Sequence, residues 1–596
     1  MARRFHPRDI FLQRASFATT LIIAVTLVGV FAMSLSAQAQ TAGQVTPKNF
    51  LPPPPPGPPG GFTIAESPQL ETPAGADRLS IRIGRVEIEG GEGFSPELQA
   101  ANDALVARLS GRKVRASEIF AAARALGEDY ARAGYVLARV VLPAQALRDG
   151  GALKLLVIDG RIERVDVEKL PERIRDRVAR YLAPLVGRSG LTLSQIERQV
   201  LLAGDLPGAT LRSTLAPGAT RGGTVLVIDA RQQLVTGSIG FDDTMSRQLG
   251  RFTLSQGLEA NSAFGYGEQF YVRGGGWPGA GPEGLFSNHP RNQFIAGGFI
   301  LPLGDDGFTV NVEATNARTT PLTENGGLKI ASEFQRYSLR LRYPLIRGRA
   351  LTLYGEFDFD AQPDRLWSFA PIHVGLGYDD PRIMRLASDG FYAPDWGGLL
   401  NGRFLTSFGV NSFGARGIPA DGDIPLTRQG SRPDFQKVEL YLRYQYPLSQ
   451  YFAAQLEGRG QTSFGVPLPR AEQIGISTLN GLSSFNAGQF QGDSGYVFRG
   501  EFQAQDMVAL QQIGAPATLG LAPYLFGAIG ATQLALPTAL ERWTGKGKSY
   551  GFGLRWSAAP DSSLANLGMS LEYGRGKRSD YDHTEDRFTF SMLLRL

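Results

Sequence analysis

The chain has 596 residues, of which 42% are apolar and 20% charged, with 74 glycines and no cysteine. This length leaves room for several domains, and the lack of thiols excludes disulfides and thiolate metal sites. A mean hydropathy of -0.13 argues against a bundle of membrane helices, whereas the low charge content is typical of a β-barrel with a lipid-facing belt.

The N-terminus has the pattern of a signal peptide, predicted to span residues 1–39. An arginine-rich start is followed by an apolar run from Leu21 to Met33 and by the cleavage site Ala37-Gln38-Ala39. The alternative is a membrane anchor, but a spanning helix needs roughly 20 apolar residues, and the run from Leu21 to Met33 is well short of that length. Cleavage before Gln40 removes four arginines and one aspartate, so the formal net charge falls from +5 to +2. A nearly neutral mature chain does not indicate a nucleic-acid partner.

Residues 40–78 are predicted to form a proline-rich linker. Pro52 to Pro56 are followed by Gly57, Pro58 and Pro59. Such a sequence is expected to be extended and cannot form a packed core.

Residues 79–159 are predicted to form an α+β domain. Ile119, Ala123, Leu126 and Tyr130 recur at helical spacing and indicate one buried helix face. The predicted elements are a strand Arg85–Ile88, helices Pro96–Leu109 and Ala116–Gly134, and strands Tyr135–Val141 and Leu153–Val157.

Residues 160–231 repeat the same order of elements. The pattern predicts a strand Ile162–Val167, helices Pro171–Ala183 and Leu193–Leu202, and strands Thr210–Thr214 and Thr224–Ile228. Two consecutive β-α-α-β-β units indicate an internal duplication. The alternative is one ordinary α+β domain over both units.

From residue 232 to Leu596 strict alternation replaces the helical period. Tyr337, Leu339 and Leu341, for example, alternate with Ser338, Arg340 and Arg342. Alternating segments of about ten residues with aromatic ends are typical of strands that cross a lipid bilayer, and the length of this part fits sixteen of them. Proline at three strand ends, at Pro302, Pro344 and Pro447, predicts periplasmic turns. The fold class is therefore mainly β, a C-terminal transmembrane β-barrel preceded by two α+β domains.

This order of parts resembles the two-partner secretion transporters (TpsB), the haemolysin secretion/activation family ShlB/FhaC/HecB. The resemblance identifies the two α+β units as polypeptide-transport-associated (POTRA) domains. Short motifs support it: Leu155 to Ile162 is similar to the family's junction between POTRA domains, and Gly240-Phe241-Asp242-Asp243 to its first barrel hairpin. The family's G-D-x-G…R-x-E segment corresponds to Gly492, Asp493, Gly495, Arg499 and Glu501.

Two departures from the family pattern concern a long loop that is expected to fold back into the barrel. Leu482-Ser483-Ser484-Phe485 stands where the family has V-R-G-[FY], and the partner motif F-x-D-x-G reads Phe526-Gly527-Ala528-Ile529-Gly530. Both charged partners are thus missing, which costs less than losing one of them. An alternative alignment uses Phe498-Arg499-Gly500 as the loop motif.

The resemblance implies an outer-membrane protein with periplasmic POTRA domains that bind an unfolded exoprotein client, a TpsA-like adhesin or haemolysin. Strand addition to POTRA edges suits a moving client. The expected client-binding residues are Tyr135, Leu137, Arg139, Val141, Thr210 and Arg212. Outer-membrane lipid, lipopolysaccharide and the barrel-assembly machinery are further expected partners. The sequence leaves open whether Gln40–Asn49 plugs the pore.

Enzymatic chemistry is not indicated. The four histidines, His6, His289, His373 and His583, are scattered, and neither H-E-x-x-H nor G-x-S-x-G occurs. No catalytic residue, metal ligand or cofactor is therefore predicted. Two other functions stay open: an assembly factor for outer-membrane proteins, and a passive channel with a periplasmic binding module.

Overall fold

The computed structural model describes residues 40–51, 62–64, 72–91, 94–323, 327–504, 506–509, 517–539, 541–560, 565–579 and 584–596. The predicted signal peptide lies outside these residues. Within them, no helix is both long and apolar enough to cross a membrane.

Two short elements precede the first domain: helix α1, Ala42–Val45, and strand β1, Phe62–Ile64. The first α+β domain then contains β2 Ser80–Glu89, α2 Pro96–Leu109, β3 Lys113–Arg115, α3 Ala116–Arg132, β4 Arg139–Val141 and β5 Gly151–Ile158. Its sheet has the order β3-β2-β5-β4. Proline at the first position of α2 suits a helix start, because the missing N–H has no partner there.

The predicted stripe of α3 forms the core of this domain. Ile119, Ala123, Leu126 and Tyr130 are buried against Leu153 and other residues of the sheet. The two predicted helices are confirmed almost to the residue, whereas β3 was missed because three residues are too short for a periodicity.

The second α+β domain contains β6 Arg161–Asp166, α4 Glu172–Leu182, α5 Leu193–Gly204, β7 Ala209–Pro217 and β8 Gly223–Gln232. Its sheet has the order β1-β7-β8-β6, so β1 of the linker is its outer strand. Helix α5 begins with a capping box of Thr192 and Gln195, which satisfies two N–H groups at the helix start. The duplicated order of elements is confirmed, and each unit has a core of its own.

Sixteen antiparallel strands close a barrel in the rest of the chain. They are β9 Val235–Asp242, β10 Thr253–Asn261, β11 Gln269–Gly276, β12 Asn292–Leu303, β13 Phe308–Thr319, β14 Lys329–Arg347, β15 Leu351–Ala361, β18 Arg382–Tyr392, β19 Leu399–Val410, β20 Gln436–Pro447, β21 Phe452–Thr462, β24 Ser494–Ala504, β26 Ala517–Gln533, β27 Thr544–Pro560, β28 Asn566–Arg578 and β29 Thr584–Arg595. The last strand, β29, pairs with the first, β9.

The other strands of this part extend or connect the barrel. They are β16 Asp364–Ala370 and β17 Val374–Asp379, which form a hairpin beyond β15, the short pair β22 Ile474–Gly475 and β23 Gln491–Gly492, and β25 Asp506–Ala509.

The barrel is polar inside and apolar outside. On β14, Arg336 and Arg340 are buried, whereas Tyr337 and Leu339 between them are 53% and 39% exposed. Side chains alternate between the two faces of a strand, so the charged set faces the lumen and the apolar set faces outward. This reversal of the usual burial confirms the predicted transmembrane barrel.

Candidate functional site

The lumen wall is built from paired charges. Glu313 on β13 accepts hydrogen bonds from Arg336 and Arg340 of the neighbouring strand, each at 3.2 Å. All three side chains are almost completely buried. Pairing keeps these buried charges from being costly, because an unpartnered one would lose its hydration without compensation.

The N-terminal segment, residues 40–51, lies inside this lumen. The Ala42 N–H donates to Ser332 Oγ on β14 at 3.0 Å, and the Phe50 N–H donates to Glu313 Oε2 at 3.0 Å. The Phe50 ring stacks on Phe294 of β12 with centroids 4.9 Å apart. The segment that was predicted as the start of a linker therefore lies inside the barrel lumen.

Charge holds this N-terminal segment on a second part of the wall. Lys48 forms an ion pair with Glu439 of β20. Lys437, which lies two residues before Glu439 on the same face of β20, also binds Glu439, at 2.9 Å. The segment is thus attached to β13–β14 on one side and to β20 on the other.

A long loop, residues 463–493, fills more of the lumen. Its Glu472 binds Arg385 of β18 and Lys437 of β20, each at 2.7 Å. It also touches the N-terminal segment, since Gln44 donates to Gln473 at 3.3 Å. A Cβ on Gly43 would lie 2.8 Å from the Cβ of Ala471, so only glycine permits this close approach.

Asp493 joins this loop to two others. Its carboxylate is fully buried and binds Arg428 of the loop between β19 and β20. It also accepts the N–H of Leu468 at 3.0 Å and the N–H of Ala535, which follows β26, at 2.7 Å. Gly492 and Gly495 beside it pack against β26, where a Cβ would meet backbone atoms within 3.0 Å. One carboxylate therefore organises the outer end of the barrel.

The loop residues in the place of the family motif lie against β24 and β26–β28. Leu482 and Phe485 are buried with Ala528 of β26 in one apolar cluster, which also includes Phe490. Ser484 hydrogen-bonds to Ser549 of β27, and Ser483 accepts from Arg499 at 3.0 Å. The predicted loop and strand segments thus meet through apolar contacts.

The strand segment presents three residues to this cluster. Phe526, Ala528 and Gly530 occupy alternate positions of β26 and face the lumen. A Cβ on Gly530 would lie 2.8 Å from Ile476 of the loop. The alternative alignment, with Phe498-Arg499-Gly500 as the loop motif, is wrong because these residues lie inside strand β24.

The first POTRA surface needs correction. The predicted strand Tyr135–Val141 is a strand only at Arg139–Val141, because residues 135–138 form a turn after α3. Leu137 is buried in the core of the second domain and is not available to a client. Tyr135 packs edge-on against Phe94 at 4.7 Å, which leaves Arg139 exposed and Val141 half-buried at the edge of the sheet.

The second POTRA surface is already partly occupied. The side chains of Thr210 and Arg212 on β7 are exposed. Strand β1 pairs parallel with the same strand further along, with Phe62, Thr63 and Ile64 opposite residues 213–215. The chain's own linker thus covers part of the edge that was predicted for the client.

The second domain is docked on the barrel by arginines. Arg177 of α4 binds Asp305 at 3.1 Å in the turn after β12, and Arg347 at the end of β14 binds Asp205 at 2.6 Å. Arg177 also donates to the Tyr181 phenol at 3.0 Å. Burial raises the pKa of Tyr181, so the phenol stays neutral. The predicted turn prolines Pro302 and Pro344 lie at this docked end of the barrel.

Sequence reasoning missed several lumen residues, among them Arg428, Glu472, Lys48 and Glu572. One signal for the N-terminal segment was present: Thr41 and Gln44 have capping-box spacing, and the Thr41 N–H donates to Gln44 Oε1 at 3.0 Å. For Glu472 and Arg428 no local signal exists, since their partners are far away in the chain.

A sixteen-stranded barrel with an apolar outer belt, a charged lumen and two N-terminal α+β domains defines an outer-membrane β-barrel protein with POTRA domains. Family models support this class. Residues 222–551 match the haemolysin secretion/activation protein ShlB/FhaC/HecB, and residues 81–160 match the ShlB-type POTRA domain. The chain belongs to the ShlB/FhaC/HecB family, a family of transporters. The protein is located in the outer membrane, and its POTRA domains lie in the periplasm.

Similar curated proteins are outer membrane transporters. The transporter CdiB of Escherichia coli strain 536 is 28% identical over 41% of this chain and 39% of its own length. The match with CdiB of Dickeya dadantii is 20% identical and spans 74% of this chain and 78% of that protein. The heme/hemopexin transporter protein HuxB of Haemophilus influenzae is 24% identical over 27% of this chain and 28% of its own.

Solved structures show the same fold. CdiB from Escherichia coli superposes with a TM-score of 0.66 at 18% identity, and CdiB from Acinetobacter baumannii with a TM-score of 0.57 at 14% identity. Both comparisons cover the whole of this chain and the whole of the other.

Proposed function

We propose that this protein is the transporter of a two-partner (type V) secretion system. It binds an unfolded exoprotein, a TpsA-like adhesin or haemolysin, through its POTRA domains and secretes it through its barrel. Family membership supports a transporter, and the contents of the lumen support this route.

One observation carries the proposal: the lumen is filled by parts of the chain that are not barrel strands. Barrels of sixteen strands enclose a water-filled channel, and here residues 40–51 occupy it through hydrogen bonds and one partly exposed ion pair. A partly exposed ion pair of this kind contributes about 1 kcal/mol or less. A lumen with paired charges and a removable segment suits the passage of a polypeptide that must not bind tightly.

The edge of β7 is the proposed entry site. Strand addition supplies main-chain hydrogen bonds with little sequence demand, and β1 demonstrates that this edge accepts a parallel strand. A client strand would compete with β1 for residues 213–215 and extend past the exposed Thr210 and Arg212. Arg139 and Val141 form a second edge on the first domain.

Other partners follow from the outer surface. The apolar belt contacts outer-membrane lipid and lipopolysaccharide, and the terminal strand β29 is the element that barrel-assembly machinery would engage. Transport needs no nucleotide, since folding of the client outside can supply direction.

The first test compares surface and medium proteins of wild-type cells with those of cells that lack this chain. Loss of one large exported protein, with other barrels at normal levels, is the expected result. Broad loss of outer-membrane proteins would identify an assembly factor instead, and unchanged levels of both would favour a passive channel.

The second test locks the N-terminal segment. The natural chain has no cysteine, so Ala42→Cys with Ser332→Cys introduces the only two thiols at neighbouring positions. Secretion is expected to stop under oxidation and to resume after reduction, and Ser332→Cys alone is the control. Normal secretion with the disulfide formed would show that the client does not need this segment to leave.

A further inference from the structure

Arg499 occupies an unusual place on the barrel wall. It lies in the middle of β24 between Phe498 and Gly500, which face outward. Alternation therefore directs its side chain into the lumen. There it is 2% exposed and is one of the largest fully buried side chains in the described residues.

Three sides of the guanidinium face the wall. Its Nε donates to Glu501 at 2.7 Å, and one terminal nitrogen donates to Glu572 of β28. The Phe526 ring lies against it, with its centroid 3.8 Å from Cζ. These contacts with the barrel wall hold the guanidinium plane without any help from the loop, because a planar donor bound at two points has little freedom left.

The fourth side faces the loop. The other terminal nitrogen donates to Ser483 Oγ at 3.0 Å and approaches the Gly481 carbonyl at 3.5 Å. A second wall arginine, Arg587 of β29, donates to the Phe485 carbonyl at 2.7 Å. In both cases the cation belongs to the barrel and the acceptor belongs to the loop.

The loop tip has no charge of its own. Residues 476–490 contain no Asp, Glu, Lys, Arg or His, so they cannot pair with Glu501 or Glu572. Those two carboxylates are balanced by Arg499 and by Arg555, which binds Glu501 at 2.7 Å. A loop arginine, which the family pattern has at this place, would add an unbalanced cation here.

We infer that Arg499 is the positioning residue that fixes the loop tip against the barrel, with the polarity of the anchor reversed: the wall donates and the loop accepts. Ser483 supplies an acceptor where the family pattern has a loop cation. Ala528, in place of a carboxylate, leaves room for Leu482 and the apolar cluster.

The test measures loop position directly. Ser484→Cys with Ser549→Cys places two thiols where the two hydroxyls are in contact, in a chain without other cysteines. In this background Arg499→Gln is expected to slow disulfide formation about tenfold, since it leaves buried Glu572 without its cation. Arg555→Gln is the matched control: it removes another cation from Glu501, but among the described residues its ion pair does not involve the loop.

A swap separates anchoring from general stability. Ser483→Arg combined with Arg499→Ser returns the guanidinium to the same space from the loop side and is expected to restore cross-linking. Folding of every variant is checked by the heat-modifiable mobility of the barrel. Equal slowing by Arg499→Gln and Arg555→Gln in folded barrels, or a folded swap variant that does not recover, would overturn the inference. The readout is cross-linking and not secretion, so the outcome of this experiment is independent of the proposed transport function.

Discussion

The N-terminal segment and the long loop occupy the same lumen but are held in different ways. The loop is attached by fully buried groups, the Arg428–Asp493 pair, Glu472 and the cluster around Phe490. The N-terminal segment buries residues 40–43 and Phe50, but it has only one helical turn and its Lys48 side chain is 42% exposed. A helix of four residues has no stability of its own. The contrast supports the proposal that the loop stays on the wall while the segment leaves.

The largest effect on stability is expected from a change at Asp493. Asp493→Ala leaves buried Arg428 without its carboxylate and two loop N–H groups without an acceptor. A loss of about 3–5 kcal/mol is expected, measured as a lower thermal transition of the barrel. The control is Asp434→Asn, which breaks the exposed pair with Arg432 in a neighbouring loop. An equal effect of both changes would mean that Asp493 does not organise the loops.

The apolar attachment of the loop is tested at Phe490. Phe490→Ala removes a buried ring that lies 5.0 Å from Phe485 and fills the space above Gly547. The expected cost is about 3 kcal/mol, seen as faster cleavage of the loop by an external protease in intact outer-membrane vesicles. Phe464→Ala, at a residue of the same loop that is 65% exposed, is the matched control. Unchanged protection after Phe490→Ala would show that ion pairs alone hold the loop.

A change in the N-terminal segment should have a smaller effect, and this effect should be seen in channel opening and not in thermal stability. Lys48→Gln removes one ion pair, while Glu439 keeps Lys437 and Arg459. A partly exposed pair contributes about 1 kcal/mol or less, so the barrel should melt at the same temperature while open events in planar bilayers become more frequent. Lys48→Arg should retain the closed state. A lowered melting temperature without added conductance would contradict a removable segment.

The smallest effect is expected where the POTRA domain meets the barrel. Asp205 pairs with Arg347 at 2.6 Å, but its side chain is 39% exposed. A double-mutant cycle of Asp205→Asn and Arg347→Gln, followed by thermal unfolding, should give a coupling of about 0.5–1 kcal/mol. A coupling of several kcal/mol would mean that the domain is locked to the barrel and does not adjust to a client.

Much of the fold was accessible from the sequence, since it depends on local periodicity. Alternation identified the two faces of β14, with Tyr337 outward and Arg340 inward, and the helical stripe of α3 identified its core face. Both signals arise within one element, where side-chain direction is fixed by geometry.

The site was less accessible, because its contacts join distant parts of the chain. Lys48 meets Glu439, and Arg499 meets Ser483 and Glu572, only once segments that are far apart in the sequence have folded together. Alternation could place Arg499 inside the lumen but could not name its partners. At Leu137 the prediction itself was wrong. Its place in an alternating run predicted an edge strand, but packing between the two domains buries this side chain.

The enclosure of residues 40–51 has a consequence for the order of assembly. The ring is completed where β29 pairs with β9, from Ser238–Asp242 to Ser591–Arg595. Residues 40–51 precede every barrel strand in the chain and are available before this closure. A ring that closes around a segment already in place requires no threading, whereas later entry would draw a proline-rich chain past the loop. The architecture therefore favours a barrel that is completed around its own N-terminal segment, so that a newly assembled pore starts out closed.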